Sequence, residues 1–376
     1  MGGVNVANNL IHNCNILEES KKMTFNNKNG KTEYLVIGAN KKEKDVVTSK
    51  VSQGYIQKVK EHKLIGTWFD ESGEYSINIV KKSDKLPYMI STVCQQASLR
   101  KVGVLAVEAR LNLSEVVIII SLLYNAEAFP YYREKDVKRL ESIQQTILTS
   151  ILEIPKSTPY YPLLMETGWL TMRARLVYKK LMLYHNIINS DKRRVVRRIL
   201  IAQRRVKRAT TWYSNIRKEE KRYNIELNVE KVLKSTWKKH VNQEIRTKTE
   251  EEVRKECRKM KKGRTICNNE YAKKEYLNVS PRKQVKSVLR ARLHMTKIPG
   301  NYKSEGITTC PLCSKEEGST EHYFECTKTR HLAEIWEVTK EDLKSHQVKD
   351  VKKVANFMEK VEKLLEPVLK KKEAGV

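Results

Sequence analysis

Three of the chain's seven cysteines fall within seventeen positions, as Cys310-Pro311-Leu312-Cys313 followed, with His322 between, by Cys326, a C-x2-C-x8-H-x3-C spacing. Thiolate sulfur and imidazole nitrogen are the donors that Zn2+ takes, four at a time in a tetrahedron. A Pro-containing turn lets Cys310 and Cys313 grip one side of such an ion. His322 and Cys326, four apart, share one helix face and can supply the other side. His331 is the second choice for the place of His322, since it lies further from the turn. The alternative for the same residues is a set of buried structural cysteines beside an exposed histidine. A site with all four positions filled, and no acid or base at a fifth, is expected to be structural. The loop from Ser314 to Glu321 has too little apolar content to fold alone, and metal binding would stabilise it where burial cannot.

The chain around this cluster is strongly basic. Its 376 residues are 40% hydrophobic and 31% charged with a formal charge of +30, which points to a polyanionic partner. The excess is concentrated, because residues 191–300 contain 34 Lys and Arg against 12 Asp and Glu. Within it, Lys192-Arg193-Arg194 and Arg197-Arg198 alternate with Val195-Val196 and Ile199-Leu200-Ile201. A helix in that register is expected to bury the aliphatics and hold Arg193, Arg194, Arg197 and Arg198 outward, where they can meet phosphates. The alternative is a solvated charged face. Val285, Leu289 and Leu293 mark a second basic helix just before the metal loop, with Arg290 and Arg292 as its expected nucleic-acid contacts. Trp212, Tyr213, Tyr223 and Trp237 lie among the basic residues and suit either base stacking or core packing.

The elements that must position these residues are expected to be mainly helical. Residues 4–22 place Val4, Ala7, Leu10, Ile11, Cys14 and Leu17 at helical recurrence, a turn follows at Asn26 to Gly30, and Thr32 to Gly38 and Lys63 to Phe69 read as strands. Helices are expected over Ser91 to Val107, over Glu134 to Ile154 with its acidic first turn, and over Thr171 to Asn189. Val116 to Ile120 is β-branched, yet apolar residues continue to Leu123 and Ala126 with no turn signal, so it reads as a buried helix. Glu219 to Lys262 mixes Glu250-Glu251-Glu252 with Lys and Arg and reads as an exposed helix or connector. Val351 to Leu369 is an amphipathic helix. The expected fold is mainly α with a small β hairpin or sheet near the N-terminus (α+β), comprising a helical bundle, a basic helical connector and a small zinc module. The divisions fall at 1–75, 76–210, 211–281, 282–335 and 336–376. The best candidate for a membrane span, Val116 to Leu123, is eight residues long, far below the roughly 20 a bilayer needs. No secretory pattern opens at Met1, and the remaining cysteines are scattered, so a soluble intracellular protein is expected, nuclear or cytoplasmic and not secreted.

The order of a helix, Lys31-Thr32-Glu33-Tyr34, Lys63-Leu64-Ile65-Gly66-Thr67-Trp68 and the distant Cys/His pattern resembles the C-terminal part of a non-LTR (LINE-type) retrotransposon reverse transcriptase: end of palm, thumb and CCHC zinc segment. It departs from the retroviral nucleocapsid knuckle, where only four residues separate the second Cys from His. Leu123 to Glu127 and Met165 to Trp169 resemble post-polymerase segments of these elements. The resemblance implies a place near the nucleotide for Lys31 and a primer-grip-like hairpin carrying Lys63, Leu64, Gly66 and Trp68. It further implies a thumb-like set of helices, RNA or DNA as partner, and structural Zn2+. The family is an RNA-directed DNA polymerase that holds Mg2+ on an aromatic-x-Asp-Asp turn and an earlier Asp. No Asp-Asp pair occurs in this chain. Asp70 has no partner carboxylate and reads as a turn residue, so Mg2+ belongs only to a full-length member. The implied protein is a truncated, nucleic-acid-binding relative without polymerase activity of its own. The alternative is a zinc-containing adapter that binds protein through the zinc module and the C-terminal helix.

Overall fold

The computed structural model describes residues 33–37, 50–51, 54–55, 57–99, 106–206, 211–260, 263, 266–296, 298 and 309–373. The helix expected at 4–22, the Asn26 to Gly30 turn and Lys31 lie outside the described residues.

Strand structure among the described residues is short and N-terminal, in three two-stranded ladders. β1 (Glu33–Tyr34) pairs in parallel with β4 (Gln57–Lys58), and β2 (Lys50–Val51) pairs antiparallel with β3 (Gly54–Tyr55). β5 (Glu61–Leu64) and β6 (Thr67–Asp70) form an antiparallel hairpin. The run from Lys63 to Phe69, read above as one strand, is therefore folded in two. Ile65 and Gly66 make its tip with φ of 46° and 76°, the two positive values that a tight hairpin turn matching strand twist requires. Asp70 Oδ1 accepts the N–H groups of Ser72 and Gly73, which is a turn role.

The rest is helical, as expected. α1 (Ser76–Ser83) and α2 (Leu86–Leu99) precede α3 (Ala106–Leu113), which runs through a π-helical stretch, Ser114–Ile119, into α4 (Ile120–Leu122). Then come α5 (Glu134–Leu152), α6 (Tyr160–Thr167), α7 (Met172–Ile188), α8 (Val195–Arg205), α9 (Trp212–Arg222) and α10 (Lys234–Lys259). α11 (Tyr276–Val279), α12 (Arg282–Arg292), α13 (His322–Glu325), α14 (Arg330–Ile335) and α15 (Val348–Glu373) complete the chain. α5 buries Val137, Leu140, Ile147 and Ile151 on one face and stops at Glu153, in the left-handed region two residues before Pro155. α7 starts where Thr171 accepts the Ala174 N–H, a side-chain cap for one of the orphan first-turn donors.

Two expectations need correction here. The Val116 to Ile120 stretch is helical but only half inside: Ile118 and Ile119 are buried, while Val116, Val117 and Ile120 face solvent. The charged stretch 219–262 is not an exposed connector. α10 buries Trp237, Val241, Ile245, Thr249, Val253 and Cys257, a stripe at four-residue intervals running its whole length. Its first half belongs to a smaller apolar cluster with α7, α8 and α9. Its last turns belong to a larger one that takes in residues from Tyr75 to Leu365. At about 1.5 Å per residue the helix is a strut of roughly 39 Å tying the two clusters together. The packing thus crosses each of the divisions drawn above from the sequence. No helix among the described residues is long and apolar enough to cross a membrane.

Candidate metal centre

The metal loop opens with a tight turn. Ser314 donates its N–H to the Cys310 carbonyl at 2.8 Å, and Cys310 donates to the Glu316 carbonyl at 2.6 Å, which points both Cys310 and Cys313 to one side. Ser314 takes a positive φ of 55° to close it. Gly318 follows where a Cβ would stand 3.1 Å from Cys310 Cα, so any side chain there would require the Cys310 backbone to shift by a few tenths of an ångström. The other two donors flank α13, a single turn: His322 opens it and Cys326 follows its last residue, donating its N–H to the His322 carbonyl at 2.7 Å. The two share a helical turn, although Cys326 is already extended.

The four donor atoms lie within 4.8 Å of one another. Cys310 and Cys326 sulfurs are 3.9 Å apart, and Cys313 sulfur is 3.4 Å from His322 Nε2. With metal–sulfur bonds of about 2.3 Å and a metal–nitrogen bond of about 2.0–2.1 Å, a tetrahedron has edges of roughly 3.8 Å and 3.5 Å. These residues can hold a metal ion, and their spacing is compatible with zinc. Glu316 Oε2 lies 3.0 Å from His322 Nδ1, which assigns the proton to Nδ1 and turns Nε2 toward the sulfurs. Burial acts to raise the Cys313 thiol, but the N–H groups of Lys315 and Glu316, with hydrogen bonds to Cys310 and His322, together outweigh it and bring it to about 6. Burial and then the neighbouring Cys310 sulfur push Cys326 up to about 11. Cys310, His322 and Cys326 are buried and Cys313 is part-buried, and the four donors fill all four positions of a tetrahedral set, in keeping with a structural role. His331 is exposed on α14 and outside the cluster.

The module is clamped to the body. Phe324 packs on Phe357 of α15 with ring centroids 4.6 Å apart, and α12 lies along the same helix. The apolar face of α15, carrying Val351, Val354, Met358, Val361 and Leu365, is buried within the chain. That face is therefore not free for the protein partner expected on it.

The basic residues divide. Arg193, Arg194 and Arg198 are exposed, and Arg193 is 91% exposed even while paired with Asp191 at 3.0 Å. Arg197 is half-buried and donates to the Ser190 carbonyl. α8 starts at Val195, so Arg193 and Arg194 stand on the turn before it, and the patch is not one helical face. The expected burial of the aliphatics is also overturned. Only Leu200 of α8 is buried, and Val195, Val196, Ile199 and Ile201 are exposed. Arg290 is part-buried with its Nε unpartnered. Arg292 is wholly buried and cannot reach a nucleic acid: its Nη1 meets Glu166 Oε2 at 3.3 Å, and its guanidinium lies 4.9 Å from the Tyr276 ring. Trp212, Tyr223 and Trp237 are core residues, and Tyr213 packs against their cluster.

The hairpin residues come together. Lys81 sits over the Trp68 ring at 4.8 Å and Lys63 at 6.0 Å, while Leu64 and Ile65 project at the tip. Gly66 lies against Tyr124, and Asn125 donates to Thr67 Oγ1 at 2.8 Å, so the hairpin rests on the Leu123 to Glu127 segment. Sequence reasoning missed the Glu166–Arg292 pair, because its partners are 126 residues apart and neither has a local signal. Compared with known proteins, the chain matches no family model, no curated protein and no solved structure.

Proposed function

We propose that this chain binds RNA or DNA through its exposed arginines, on a helical body braced by a structural zinc centre, as a reverse-transcriptase-like protein of the non-LTR retrotransposon type. The observation that carries the reading is the cluster Arg193, Arg194 and Arg198, exposed together in a stretch that holds seven Lys and Arg against the single acid Asp191 over residues 191–205. Such a surface attracts phosphates and has little internal relief. Zinc is the metal favoured by three thiolates and an imidazole in a closed tetrahedral set. The reading is supported by the sequence order on which the resemblance rests, from Lys63 to Trp68 through the helical stretches to the Cys/His spacing. No polymerase role is assigned, since the chain contains no Asp-Asp pair for Mg2+.

The test is binding of a labelled single-stranded RNA or DNA between about 50 and 200 mM salt, where each neutralised phosphate contributes roughly 0.7–0.9 to the log–log slope. Replacing Arg193, Arg194 and Arg198 with Ala should lower affinity and reduce the slope by about one unit per lost contact. A triple variant with the parent's affinity and slope would reduce the patch to a solvated face.

A further inference from the structure

We infer that the groove between α7 and α8 seats an amphipathic helix from an acidic protein partner. The groove has a volume of about 450 Å³. Leu183 and Ile187, one turn apart on α7, line it with Val196, Ile199 and Leu200 of α8, and Trp212 adds its floor. The α8 wall thus presents aliphatic side chains at i, i+3 and i+4 and the α7 wall at i and i+4, the ridges between which a third helix packs its own. Val196 and Ile199 are each 51% exposed, so about half of each side chain remains in water among the described residues. An 11-residue helix that leaves all but one of its aliphatics in water lacks its packing partner.

Charge identifies that partner. Arg194 lines the groove, and Lys192 and Arg193, its neighbours in the chain, are exposed, with Asp191 already paired to Arg193. A second copy of this chain, at +30, would bring like charge to the rim, whereas Glu and Asp flanking an apolar stripe complement it. A nucleobase fits the lining less well. Stacking needs an open aromatic face, and Trp212 is 9% exposed with its Nε1 donating to the Glu127 carbonyl at 2.8 Å. The inference shares Arg193 and Arg194 with the nucleic-acid reading and differs from it in the aliphatic lining, which phosphates do not need, so substitutions at that lining separate the two.

It is tested on the full chain with a fluorescein-labelled 18-residue synthetic peptide carrying Leu at i, i+3, i+4 and i+7 and Glu on the flanks. One control replaces Glu with Lys, and another shuffles the Leu positions. The Glu peptide should bind at least about tenfold tighter than either control, and Val196→Asn with Ile199→Asn should remove its advantage over the shuffled peptide. Both positions are half-exposed, so the variant should keep the parent's circular dichroism and melting transition, and its binding to single-stranded RNA should not change. If the Glu peptide binds no better than its shuffled form, the inference fails. It fails equally if the Asn variant loses RNA and not peptide, which would give the groove to nucleic acid.

Discussion

Arg292→Met should cost about 3–5 kcal/mol of folding stability, the range seen when one partner of a buried ion pair is removed. Arg292 and Glu166 are both 0% exposed and meet at 3.3 Å. The pair is not fully satisfied, since Arg292 Nε and Nη2 and Glu166 Oε1 have no partner, so its net contribution against an apolar pair of the same volume is small. The loss comes instead from what the substitution leaves behind. Glu166 keeps the hydrogen bond from the Tyr276 hydroxyl, but its carboxylate then loses the guanidinium that meets it, and the buried Lys274, which donates to the Glu270 carbonyl, is left acting on it. Pairing Arg292→Met with Glu166→Gln should therefore cost much less than the sum of the single changes, a coupling of about 2 kcal/mol or more. Urea unfolding of the four proteins at one pH measures this, with metal content followed to show that the zinc module is retained. An Arg292→Met variant within about 1 kcal/mol of the parent, or strictly additive effects, would refute the desolvated pair.

Gly168→Ala should cost more than about 2 kcal/mol: φ is +65°, and the new Cβ would lie 2.4 Å from the Lys273 backbone nitrogen. Gly168→Asn, which tolerates that φ, should be no better in a thermal melt, because the clash is with backbone. Burial lowers Lys180 from 10.5 to about 7, with Glu219 opposing. The unfolded chain then binds more protons than the folded one between pH 7 and about 10.5, so stability should rise across that window. Lys180→Met should flatten the rise, and equal slopes in the two proteins would contradict it. Primer extension on an RNA template with Mg2+ should give no product from this chain, and template-dependent synthesis would overturn the assignment.

What could be read from sequence was what is local. Thr171 before an apolar 3.6-residue repeat, Pro155 after another, and the stripe from Val351 to Leu365 each carry their own signal, and those helices lie within about four residues of where expected. The metal ligands were legible for the same reason, because four donors within seventeen residues constrain one another. α6 was missed, being one short apolar turn pair hidden between Pro159 and Gly168. The α10 stripe was diluted by charged residues on its other faces, so composition outweighed spacing. On α8 the aliphatics were assigned inward because a periodic apolar face usually has a wall, and this chain supplies one only for Leu200. Arg292 was assigned outward with its helix neighbours because nothing near it announces Glu166.

The metal centre is the part of the account on which the rest is braced, and its direct measurement is metal content and X-ray absorption on the purified full chain. The purified chain should carry about one zinc with three sulfur neighbours near 2.3 Å and one nitrogen at about 2.0–2.1 Å. Cys313→Ser should lower the stoichiometry and loosen the Cys310 to Cys326 module. A chain that folds with no metal, or a Cys313→Ser variant that keeps the full complement with an unchanged shell, would contradict the assignment of Cys310, Cys313, His322 and Cys326 as its ligands.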